Sequence, residues 1–112
     1  MGGNGQVRGG SPLLVQCATD TVRSEAHLRG TVDATTADDL AALVDQLVGD
    51  GYRELVLDLA EVDFMGAAGL RALVRADDAL RAAGGGLVLR NAPRMVRRIL
   101  AITELDRTIA VE

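Results

Sequence analysis

A chain of 112 residues is the size of one domain and can bury a single core without disulfides or metals. Its net charge of −4 and its near lack of aromatics (Tyr52, Phe64, no Trp) argue against a nucleic-acid partner, which needs a basic footprint and, for single strands, stacking platforms. One cysteine, Cys17, excludes an intramolecular disulfide, and no apolar run reaches the length of a membrane span.

Taken in order, residues 1–12 are glycine-rich and nearly free of apolar side chains, so a disordered lead is expected, with one domain over 13–112. No charged region followed by an apolar stretch opens the chain, and a cytoplasmic protein is the expectation. Leu13 to Thr19 reads as a first strand, with Cys17 a small buried hydrophobe on it; a redox thiol needs a nearby cation, and none lies within four positions. After a turn over Asp20 to Ser24, a short second strand covers Glu25 to Arg29 and closes at Gly30-Thr31-Val32-Asp33. Thr35 and Thr36 are candidate caps of a first helix, with Asp38 and Asp39 in its first turn. Its apolar face is Leu40, Leu43, Val44, Leu47 and Val48, and Gly49-Asp50-Gly51 ends it.

Arg53 to Leu59 has the continuous apolar character of a central strand covered on both faces. Ala60 to Met65 reads as a turn, and a second helix runs from Ala67 or Ala68 to Ala83 on the stripe Leu70, Leu73, Val74, Leu80. Gly84-Gly85-Gly86 stops it. Leu87 to Leu89 is a buried strand, and Pro93 suits the first turn of a third helix, with Met95, Val96, Ile99 and Leu100 inward and Arg94, Arg97 and Arg98 outward. A last short strand lies within Arg107 to Val111. Strands alternating with helices imply right-handed crossovers: a small α/β domain with a mostly parallel sheet of about five strands and three helices.

The stretch Leu55 to Leu73 organises the rest. Its centre, Gly66-Ala67-Ala68-Gly69, has almost no side chain. A strand feeding a helix there leaves the first helical N–H groups accessible and mildly attractive to anions. Either something approaches this backbone, or the glycines only turn the chain. Catalytic alternatives find little support. The chain has no lysine, so neither glycine cluster is a P-loop. The single histidine, His27, has no second histidine to share a metal, and Asp38, Asp39 and Asp45, whose spacing fits no carboxylate cage, read as a solvated acidic face. No metal, cofactor or catalytic residue is expected.

Three segments carry a family resemblance. Gly30-Thr31-Val32-Asp33 with Thr36-Ala37-Asp38-Asp39-Leu40, then Leu57 to Met65 with Gly69-Leu70, then Asn91-Ala92-Pro93 with Val96 to Leu100 and Leu105-Asp106, resemble in order and spacing the STAS domain of bacterial anti-sigma-factor antagonists. The resemblance implies a single STAS-like domain that binds an anti-sigma factor of the histidine-kinase-like ATPase fold and so frees a sigma factor for transcription. It implies a contact surface of Asp33, Thr35, Thr36, Asp63, Met65, Gly66, Ala67, Ala68, Gly69 and Arg71. In the family the partner phosphorylates a hydroxyl at the start of the second helix, within Asp-Ser-Ser-Gly-Leu or Asp-Ser-Thr-Gly-Leu. Here those positions read Gly66-Ala67-Ala68-Gly69-Leu70, and no serine or threonine occurs between Thr36 and Thr103. Ala67 and Ala68 are thus degenerate phospho-acceptor positions, and the usual phospho-switch is expected to be absent. The alternative is an accessory subunit of a signalling or lipid-transport complex. Neither nucleic acid nor membrane insertion is expected, and the sequence is silent on oligomeric state.

Overall fold

Among the described residues, five strands form one sheet in chain order, and three helices connect the last four. The computed structural model describes residues 23–112 together with the backbone of β1 (Leu13–Cys17). The expected disordered lead, the turn after Asp20 and the surroundings of Cys17 lie outside the described residues. β1 runs antiparallel to β2 (Arg23–Val32). From there α1 (Ala34–Gly49), β3 (Glu54–Met65), α2 (Ala67–Ala82), β4 (Gly86–Arg90), α3 (Arg94–Ile102), a 3₁₀ turn (Leu105–Arg107) and β5 (Ala110–Val111) follow. β2 to β5 are mutually parallel. Each strand lies next to its predecessor, so right-handed crossovers place all three helices on one face.

The core forms between that face and the helices. Ala26 and Leu28 of β2, Leu55, Leu57 and Leu59 of β3, and Leu87 and Leu89 of β4 alternate toward it. They meet Leu40, Leu43, Val44 and Leu47 of α1, Leu73, Ala76 and Leu80 of α2, and Val96 and Leu100 of α3. The other face of β3 is not covered by a second helical layer, contrary to the apolar run's suggestion. There Val56 is buried between its neighbours Glu25 and Val88, and Asp58 sits among His27, Arg90 and Asn91. Asn91 Nδ2 donates to Asp58 Oδ2 at 3.0 Å, and Arg90 reaches Glu25 and Glu112 at 3.8 and 3.5 Å.

The largest departure from the sequence reading is β3, which continues through Ala60–Met65 instead of turning there. It pairs with an extended β2: Arg29 with Glu61, Gly30 with Val62, Thr31 with Phe64, and Val32 with Met65. Two register shifts, between His27 and Arg29 and between Gly30 and Thr31, each insert one extra residue on β3. The inward residues Leu59, Val62 and Met65 are therefore spaced by three, and a search for alternation misses them. Smaller corrections concern ends and faces. Asp33, not Thr35 or Thr36, caps α1; Asp39 is buried, because it lies three residues past buried Thr36 and four before Leu43. Met95 is exposed, and β5 shortens to two residues because Leu105–Arg107 coils into the 3₁₀ turn.

The glycines after α2 are fixed by contact. A Cβ on Gly85 would sit 1.7 Å from the Arg53 carbonyl oxygen, so the turn into β4 excludes any side chain there. Asp77 secures the same junction from inside the helix. It is 2% exposed; its Oδ1 accepts from the Leu87 N–H at 3.0 Å, and its Oδ2 accepts from Arg81 Nε at 2.7 Å.

Candidate functional site

The ends of β2 and β3 lie side by side, Val32 against Met65, so α1 and α2 begin next to each other at the carboxyl edge of the sheet. This is the edge at which loops of α/β sheets carry sites. The two helix starts are built differently. At α1, Asp33 Oδ1 accepts from the N–H groups of Thr35 (3.0 Å) and Thr36 (3.2 Å), which satisfies two of its free donors. At α2 the capping residue is Gly66, and no side chain bonds the first turn. The N–H groups there are left to solvent or to a partner.

The two glycines of the loop have separate roles. Gly69 is buried, and a Cβ on it would lie 2.8 Å from Met65 Cγ, 2.9 Å from Val32 Cγ1 and 3.3 Å from the Val32 carbonyl oxygen. It lets the first turn of α2 press onto the end of β2. Gly66 has φ −92° and ψ −171°, which any residue adopts, and a Cβ there would only touch the Phe64 ring at 3.4 Å. Its bareness is not required by the turn.

Of the residues singled out from sequence, Asp33, Thr35, Asp63, Ala67 and Arg71 are exposed, and Gly66 and Ala68 are half-buried. Met65, Gly69 and Thr36 are buried, so they support the surface from beneath and do not form it. Thr36 Oγ1 lies 3.4 Å from the Thr31 carbonyl oxygen. Behind the helix starts, α1 and α2 flank a groove of about 420 Å³ whose lining includes Ala34, Ala41, Ala68 and Ala72. Asp38 and Asp45 stand on its α1 wall, Arg71 and Arg75 on its α2 wall.

Sequence reasoning missed Phe64. Its ring is 52% exposed on the shoulder of the loop, beside Gly66. The signal was its rarity: it is the sole phenylalanine in a chain with 2% aromatics. Among the described residues, no group of three His, Cys, Asp or Glu could hold a metal, and no helix is long and apolar enough to cross a membrane. The start of α2 offers bare backbone donors, methyl groups, one aromatic ring and scattered charge.

A family model of the STAS domain matches residues 19–112. The chain belongs to the STAS domain family. Within it, this STAS domain is 36% identical over 78 residues to a Bordetella bronchiseptica protein named "Putative anti-sigma factor antagonist BtrV", a match covering 70% of this chain and 67% of that one. Among solved structures it is similar to an anti-sigma factor antagonist from Mycobacterium paratuberculosis, with 26% identity and a TM-score of 0.72, covering 88% of this chain and 84% of that one. It also shares its fold with the anti-sigma factor antagonist SpoIIAA in unphosphorylated form, at 15% identity and a TM-score of 0.77, covering 89% and 87% of the two chains. The single α/β domain, its three helices and its mostly parallel sheet agree with the architecture expected from the sequence.

Proposed function

We propose that this STAS domain is an anti-sigma-factor antagonist, a binding module and not an enzyme. It docks on an anti-sigma factor of the histidine-kinase-like ATPase fold and so frees a sigma factor. The contact surface is the start of α2 with the neighbouring β2–α1 turn: Asp33, Thr35, Asp63, Gly66, Ala67, Ala68 and Arg71, with Phe64 as its aromatic shoulder. One observation carries this reading: the uncapped, side-chain-poor start of α2 faces solvent directly beside the capped start of α1. The names borne by the similar proteins support the antagonist role.

A phosphoryl group at such a start adds roughly two negative charges and breaks an interface by repulsion and desolvation. Ala67 and Ala68 offer methyl groups in place of hydroxyls, so the contact is not released in that way. Capture from the chain's own cytoplasm tests the reading, with the wild type and Ala67→Asp used in parallel and bound proteins identified by mass. The expected result is an ATPase-fold anti-sigma factor on the wild type and its loss on Ala67→Asp. A transporter or a large signalling assembly on both, without such a factor, makes the domain an accessory subunit instead.

A further inference from the structure

The groove between α1 and α2 carries charge of both signs. Asp38 and Asp45 line it from α1, Arg71 and Arg75 from α2, and all four residues are exposed. None of the four takes part in an ion pair among the described residues. The groove, about 420 Å³ in volume, keeps the acids of one wall beyond ion-pair reach of the bases on the other.

The two walls are also level. Val32 pairs with Met65, and each helix begins two residues further on, at Ala34 and Ala67. β2 and β3 are parallel, so α1 and α2 run in the same direction away from that edge. Asp38 and Arg71 therefore stand at equal height, each opening the second turn of its helix. Further along, Asp45 and Arg75 differ in height by about 4.5 Å at the rise of an α-helix. An arginine stem spans that difference.

We propose that this face pairs with a second copy of the chain about a two-fold axis that runs along the groove. That operation lays α1 of each copy over α2 of the other and preserves height. Asp38 then meets Arg71 of the other copy, and Asp45 meets Arg75, each pair formed twice by symmetry. An axis across the groove would set acid against acid, so charge selects the first arrangement. A foreign partner needs bases and acids in this same order, whereas a second copy supplies them by symmetry. Ala41 and Ala68, beside the charges, are too short to hold the copies apart. Ala68 and Arg71 also belong to the proposed anti-sigma contact, so a paired copy covers part of it. That consequence rests on the proposed function; the pairing itself does not.

Sedimentation of the full chain tests the pairing with no anti-sigma factor present, so its failure and failure of the proposed function are read separately. The wild type is expected to self-associate at concentrations up to about 1 mM, the scale of a weak contact. Added salt is expected to weaken that association by screening the exposed charges. Asp45→Arg and Arg75→Asp each set like charges against each other, and each alone is expected to lose on the order of tenfold in dimer affinity. Mixed in equal amounts, the two variants regain an arginine against an aspartate at both junctions of a heterodimer. The mixture is therefore expected to associate about as well as the wild type. A merely structural role for either residue produces no such rescue, and circular dichroism confirms the fold of variants at these exposed positions. A wild type that stays monomeric throughout overturns the proposal. So does a dimer that neither variant weakens, or folded variants that stay apart on mixing.

Discussion

Gly69 rests its bare Cα on Val32: a Cβ there would lie 2.9 Å from Val32 Cγ1 and 3.3 Å from its carbonyl oxygen. This contact sets how closely the first turn of α2 approaches β2, and hence how Ala67 and Ala68 are presented beside Asp33. Gly69→Ala is expected to cost about 1–3 kcal/mol, the usual range for overpacking a tight site. Urea unfolding measures it; an unchanged midpoint would mean that the turn has slack.

Gly66 behaves oppositely. Its backbone is ordinary, its Cβ position is nearly open, and α2 lacks a side-chain cap. Gly66→Asp is expected to stabilise the fold by about 0.5–1 kcal/mol through capping and the helix dipole, which raises Tm by a few degrees. The same carboxylate is expected to weaken partner binding by placing charge on the contact. Thermal unfolding and a binding titration of one variant read both signs.

Asp77 ties α2 to β4 through the Leu87 N–H and Arg81. Asp77→Ala leaves that N–H without its acceptor, at an expected cost of about 2 kcal/mol, the scale of a buried hydrogen bond to a charged group. Asp77→Asn keeps an acceptor and is expected to recover part of it. Denaturant midpoints of the two variants decide the point.

These residues differ in how far they could be read from the chain. The three helices were legible because their apolar spacing is regular and turn residues bound them. The far half of β3 was not, since two bulges reset its alternation and put Leu59, Val62 and Met65 three apart. Asp77 was hidden for another reason: burial of an acid depends on an N–H ten residues away, which no local pattern records. The bare loop was plain in sequence, but the division of labour between Gly66 and Gly69 needed the position of Val32. Met65 and Gly69 looked like surface for the same lack.

Phe64 projects half-exposed beside Gly66. Aromatic side chains bury a large area and contribute strongly to interface energetics. Phe64→Ala is expected to leave Tm within about two degrees, as surface changes usually do, while affinity for the anti-sigma factor falls tenfold or more. Equal affinity would move the contact away from this shoulder.

The proposed contact at the start of α2 is one that phosphorylation does not release. The most direct measurement is a titration of the captured anti-sigma factor onto this domain with and without magnesium and ATP, followed by the intact mass of the domain. The expected result is the same affinity in both conditions and no gain in mass. A phosphate-sized gain mapping to residues 65–71, accompanied by release of the partner, would contradict it.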